Sequence, residues 1–165
     1  MSEGRRGHTA RHPRRLKVLP PAAADIVRLG EDDPALELAA NVYISLIEDG
    51  RLDGQELKDM PSYGDLSDCC KVYFAVNPAK KPTHRIVYQI VGVETSGAQR
   101  VEVVEVVAVE ARGEGYVYLL ASDRLGRLPL ETQPRKKRIH LAVIEQRGAT
   151  RKARRGQGPG SPSMG

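Results

Sequence analysis

Apolar and polar positions change rhythm along this chain, and each change marks an element. Residues 15–19 alternate and then meet Pro20-Pro21, which predicts a short strand stopped by prolines. Residues 22–29 read as a short helix closed by Gly30. Asp32-Asp33-Pro34 then opens a second helix, with acids at its positive end and proline in its first turn. Ala35, Leu38, Ala39, Val42 and Leu46 recur at the spacing of one helical face, and Asp49-Gly50 ends the run. Helices joined this tightly make an αα-hairpin. Residues 51–68 read as a polar loop with Gly54, Pro61 and Gly64. Strand patterns follow over 70–76, 84–91 and 100–111, separated by turns over 77–82 and 95–98. Turns this short make antiparallel neighbours, and the valine density of the last strand predicts a central, buried position. Gly113-Glu-Gly115 breaks the pattern, and residues 116–125 read as a short helix. Residues 139–144 fit helix or strand equally.

This order predicts an α+β domain over 14–127. An N-terminal strand and αα-hairpin pack on a twisted antiparallel sheet, with a short C-terminal helix after it. Residues 1–13 hold nothing to bury and read as a disordered basic arm. Residues 128–165 read as a basic extension whose end, 157–165, is low in complexity and disordered. There is no internal repeat.

The formal charge of +5 suggests a polyanionic partner, but its distribution changes that picture. Residues 1–17 carry six Arg/Lys and one Glu, net +5, and residues 134–165 carry nine and one, net +8. Residues 18–133 hold eleven Arg/Lys against nineteen Asp/Glu, net −8. The basic character therefore lives in the tails, and any nucleic-acid site in the core has to be a local cluster of cations. The two cysteines, Cys69 and Cys70, are neighbours without a further partner, which fits a reducing compartment. No apolar stretch follows the N-terminal arginines as in a secretory signal, and no run reaches the length of a membrane span. The expectation is a cytoplasmic protein with no membrane partner.

Three stretches, Asp68-Cys-Cys-Lys71-Val-Tyr73, His84-Arg85-Ile-Val-Tyr88-Gln and Val107-Ala-Val-Glu-Ala-Arg112-Gly-Glu-Gly-Tyr116-Val-Tyr118, occur in order on successive elements. Together they resemble the RelE/ParE superfamily of toxins, and the RelE type in particular. Ala121-Ser-Asp-Arg124-Leu125 fits that family's closing helix, and the resemblance covers roughly 15–125. It implies a RelE-like fold and a toxin of a type II toxin–antitoxin system. Such a toxin is a metal-independent endoribonuclease, an mRNA interferase, that cuts mRNA in the ribosomal A site. Its partners are mRNA, the ribosome and a cognate antitoxin protein, with no cofactor. Carried over by position, the catalytic set is Lys71, Arg85, Arg112 and Tyr118, with Tyr118 taking or giving a proton. Tyr73 stands where the family has a second strand lysine, and Lys80 and Lys81 in the nearby turn are candidates to supply that charge. His84 precedes Arg85 where the family tends to have an aromatic residue. Tyr73, Lys80, Lys81 and His84 are thus expected to contact RNA.

The chemistry also stands on the residue types. Cutting RNA without a metal uses the neighbouring 2′-OH as nucleophile, with a base, an acid and cations for the pentavalent phosphate. Arginine's planar fork makes two hydrogen bonds to phosphate at once. Side chains alternate along a strand, so Lys71 and Tyr73 share one side of the sheet and Arg85 can share it from the adjacent strand. Plainer readings stand beside these. Arg85 and Arg112 also read as surface arginines paired with acids, Lys71 as a solvated strand residue, and Tyr118 as a core aromatic. Tyr73 reads equally as a stacking residue or as filling for the strand face, and His84 more simply as structural. Tyr88 and Phe74 read as core. His8 and His12 lack the company a metal site needs, and no metal is expected. Gly113-Glu-Gly115 lacks the Lys and Ser/Thr of a phosphate loop. Arg135-Lys-Lys-Arg138 and Arg151-Lys-Ala-Arg-Arg155 read as solvated charge or as salt-dependent holders of ribosomal RNA. Two other functions fit the pattern: a ParE-like toxin that inhibits DNA gyrase without cutting RNA, and a non-catalytic RNA- or ribosome-binding protein.

Overall fold

A computed structural model describes residues 13–113, 115–129 and 132. Residues 1–12 of the expected arm over 1–13, and nearly all of the expected extension over 128–165, lie outside these residues. The chain divides into two compact units, 1–128 and 129–165, and every element below belongs to the first.

Strand β1 (Arg14–Val18) runs into α1 (Pro20–Asp32), whose first turn takes the prolines where no backbone donor is needed. Ala22, Asp25, Ile26 and Leu29 form its buried stripe. The helix passes through Gly30 instead of stopping there. A Cβ on Gly30 would lie 2.0 Å from Glu37 Oε2, so the glycine admits the next helix and is not a cap. Asp33 closes α1 by donating its N–H to Leu29 O (2.9 Å), and opens α2 (Pro34–Glu48) by accepting from the Ala35 N–H (3.0 Å).

The buried face of α2 differs from the expected one. Ala40, Ile44 and Ile47 are buried, with Leu36, Ala39 and Tyr43 packed beside them, whereas Leu38 and Val42 are 68% and 49% exposed. This helix is apolar on nearly every side, so the periodicity was ambiguous and packing against the sheet chose the face.

The polar loop contains short pairings. Strand β2 (Gln55–Glu56) joins the main sheet, while β3 (Asp59–Met60) and β4 (Gly64–Asp65) form a small hairpin. Strands β5 (Cys69–Phe74), β6 (His84–Ser96) and β7 (Gln99–Ala111) make the expected meander, and α3 (Tyr116–Arg124) follows. The sheet order is β1-β7-β6-β5-β2. The sheet is mixed, not wholly antiparallel, because β1 pairs in parallel with β7, placing Leu16 beside Val104 and Val18 beside Val106. Parallel neighbours need a long crossover, and here the helical hairpin and the meander supply it.

Alternation then sorts the two faces of the sheet. Cys70, Val72, Phe74, Ile86, Tyr88, Val104 and Val106 pack with the helical hairpin in one core. Fully burying such side chains stabilises the fold by about 1.5–3 kcal/mol for each large one. Lys71, Tyr73, Arg85 and Val87 take the other face, where α3 packs on β6 and β7.

A polar network holds α3 in place. Asp25, 1% exposed, accepts from Arg124 (2.6 and 2.9 Å), from Arg28 (2.5 Å) and from the Val109 N–H (3.0 Å). Arg124 also donates to Val107 O at 2.9 Å. Helices α1 and α3 are thereby tied to each other and to the part of β7 that β1 does not pair. After α3, Arg127 makes a forked ion pair with Asp68, which also accepts from Gln89 (2.9 Å). That pair holds the Asp68 carboxyl well below its usual range, against the opposing effect of burial.

Candidate active site

Residues from separate sequence motifs converge around Tyr73. Tyr73 and Arg85 are register partners across β5 and β6, and Lys71 lies two residues earlier on the same face. Arg112 follows the end of β7, where its N–H donates to Thr83 O (2.8 Å). Lys71 Nζ stands 5.1 Å from the centroid of the Tyr73 ring, Arg85 Cζ 5.1 Å and Arg112 Cζ 5.3 Å. The Tyr118 ring, in the first turn of α3, joins from the side, 5.2 Å from Arg85 and 5.9 Å from Lys71.

These cations carry no counter-charge from the described residues. None of Lys71, Arg85 and Arg112 forms an ion pair with a described carboxylate, so the paired-surface reading of the arginines does not hold among those residues. Glu110, the register partner of Arg85, instead accepts from the Ala111 N–H (3.1 Å) and lies 3.9 Å from Arg28. Arg85 Nε is buried without a hydrogen-bond partner among the described residues. Cation–π attraction is worth about 0.5–1 kcal/mol at exposed sites, and it works here against mutual repulsion of like charges. An anion between the guanidinium groups would relieve that repulsion and satisfy the orphan donor.

The same charges act on the phenol. A hydrogen bond with Lys71 pulls the Tyr73 pKa below the ordinary tyrosine value, outweighing burial, and the fields of Lys71, Arg85 and Arg112 add to the shift. Burial disfavours the Lys71 ammonium, but its interactions with Tyr73 and Tyr118 outweigh that and leave its pKa raised. Tyr118 was expected to move the proton, yet it is only 5% exposed and packs as a wall of the site.

His84, Lys80 and Lys81 do not join the cluster. His84 opposes Phe74, on the helical-hairpin face, with ring centroids 5.4 Å apart, and shares a 2.7 Å hydrogen bond with Thr83 Oγ1. Alternation puts it on the opposite side from Arg85. Lys80 and Lys81 are exposed in the connection between β5 and β6, and neither ammonium lies over a ring of the cluster. The charge that a second strand lysine would bring is therefore not replaced by these two residues. The structure adds Tyr63, from the β3–β4 hairpin, whose ring lies 6.0 Å from that of Tyr118 at 56°. Its sequence signal is that it is the one aromatic residue of the loop over 51–68.

Gly115, the N-cap of α3, has φ 72°, and a Cβ there would lie 2.3 Å from Tyr63 Oη. Gly115→Ala is expected to cost at least about 1–2 kcal/mol from the left-handed backbone alone. The shift in denaturant midpoint measures it, with Gly113→Ala as reference, since a Cβ there meets nothing within 4 Å.

Among the described residues no group of three His, Cys, Asp or Glu is placed to hold a metal ion, and no helix is long and apolar enough to cross a membrane. Cys69 and Cys70 are free and buried, and burial pushes the Cys69 thiol up to about 12. No protein-family model, curated protein or solved structure matches this chain.

Proposed function

We propose that this protein is an RNA-cutting toxin of the RelE type, acting on mRNA at the ribosome in the cytoplasm and restrained by an antitoxin. The observation that carries the reading is the set of three cations, Lys71, Arg85 and Arg112, gathered on Tyr73 without carboxylate partners among the described residues. Arg85 and Arg112 grip the scissile phosphate and stabilise the charge that grows on it. Tyr73, acidified by its cations, accepts the 2′-OH proton. The 2′-oxygen bonds to phosphorus, the bond to the 5′-oxygen breaks, and Lys71 protonates the leaving oxygen. The products are a 2′,3′-cyclic phosphate and a 5′-hydroxyl. Tyr73 in the family's lysine position thus puts a neutral phenol, whose conjugate base is an anion, where the family has a cation.

Expression of the full chain in a bacterial host, with mRNA 5′-end mapping, tests this reading. Cuts inside translated frames are expected, and growth arrest with intact mRNA would sink it in favour of gyrase inhibition. In purified form, Tyr73→Phe is expected to lose about 10²–10⁴-fold in cutting rate, the usual worth of a positioned base. The pH profile checks the role. A lowered pKa means more phenolate at a given pH, so the wild-type rate should rise with pH and level off below the free-tyrosine value of about 10. That rise should be missing in Tyr73→Phe.

A further inference from the structure

The turn of the β3–β4 hairpin carries Tyr63, whose N–H donates to Met60 O at 2.8 Å. The hairpin is locked against both ends of α3. At the start of the helix, the Tyr63 hydroxyl occupies the space that a side chain on Gly115 would fill. Past its end, Gly64 (φ +98°) lies so close to the backbone of Arg127 that a Cβ would sit 2.4 Å from Arg127 O. Arg127 also donates to Asp65 O at 3.0 Å. The Tyr63 ring therefore packs beside Gly115 and Tyr118, yet it is only half-buried. Its neighbour, the Tyr118 ring, is approached by Arg85 at 5.2 Å and by Lys71 at 5.9 Å. A partly exposed aromatic ring thus lies next to Tyr118, at the side of a cluster of cations that form no ion pair with a described carboxylate.

We infer that Tyr63 is a nucleobase subsite: an unpaired base next to the phosphate held by Arg85 and Arg112 stacks on the Tyr63 ring. This inference rests on the proposed RNA site and names a contact within it. A nucleotide presents a charged phosphate and a flat base one sugar apart, and here Arg85 and the Tyr63 ring both neighbour the Tyr118 ring, at 5.2 and 6.0 Å. Stacking accepts any base, because every base has a π-face. A ring already fixed by its neighbours loses little freedom on binding. The base must be out of a duplex to reach it.

The test is binding of the full chain to a short single-stranded RNA made uncleavable by 2′-O-methylation, read by fluorescence anisotropy. A matching probe has an abasic ribose beside the central phosphate. Tyr63→Leu keeps apolar bulk over Gly115 and removes the π-face, and Tyr63→Phe keeps the ring. Tyr63→Leu is expected to weaken binding of the base-bearing probe about tenfold. It should leave the abasic probe within about twofold of wild type, and Tyr63→Phe should restore most of the base-bearing affinity. Equal weakening on both probes would mean that Tyr63 only supports the cations, and it would overturn the subsite. So would tight binding that ignores every Tyr63 change. If the wild type binds neither probe while Arg85→Ala changes nothing, the RNA site itself fails, and the subsite with it.

Discussion

Replacing Arg85 and Arg112 together by alanine is expected to reduce RNA cutting by about 10³-fold or more, with the fold intact. Removing one preorganised donor to a developing oxyanion costs about 10²–10³ in rate, and here both phosphate forks go at once. Effects of groups acting on one phosphate are not additive, so the double variant should fall little further than the worse single one. The stability expectation is the sharper half of the result. Neither arginine forms an ion pair with a described carboxylate, and both repel Lys71 and each other around one ring. The unfolding free energy should therefore stay within about 1 kcal/mol of wild type, the worth of the cation–π contacts given up. The Tyr73 pKa should move back up toward the ordinary value as two of its cations leave, which tyrosinate absorbance reads directly. Lost cutting together with a loss of several kcal/mol would recast the arginines as structural; retained cutting would remove them from the site.

Asp25→Ala is expected to be the most destabilising single change, at about 3–5 kcal/mol, measured by denaturant unfolding. The carboxylate is buried and takes bonds from Arg124, Arg28 and the Val109 N–H. Its removal leaves the part-buried Arg124 and Arg28 guanidinium groups without their shared carboxylate and frees the Val109 N–H of β7. The same bonds connect to function, because Arg124 belongs to the helix that carries Tyr118, and Val109 lies three residues before Arg112. Asp25→Asn keeps an acceptor oxygen and the shape, so it should cost less than alanine. Equal losses for the two variants would show that the hydrogen-bond geometry matters little and that charge decides.

Much of this architecture was legible from local pattern. Alternation over 70–76 and the Arg-Ile-Val-Tyr strand beginning at His84 located β5 and β6, and the valine run located β7, because a half-buried strand imposes a period of two wherever it occurs. Proline and acids marked the entry to α2 for reasons confined to one helical turn. The same alternation places Lys71 and Tyr73 on one face of the sheet, as the register has them. What stayed hidden depended on residues far apart in the chain. Gly30 looked like a helix stop, and only the approach of Glu37 explains it. Leu38 and Val42 looked like core, but α2 is apolar on most sides, with its polar residues confined to one stripe, and the sheet selected Ala40, Ile44 and Ile47.

The division at the site follows the same physics. By itself the sequence determined the strands, the helices and the residue types able to handle a phosphate, since these follow from short-range periodicity and side-chain chemistry. Only the tertiary structure decided that β1 lies parallel to β7, that His84 faces away while Tyr73 gathers the cations, and that Tyr63 enters from a loop. Strand pairing, the choice between two apolar faces and the electric field at a phenol are sums over neighbours brought together by folding. No local window of the chain contains those neighbours.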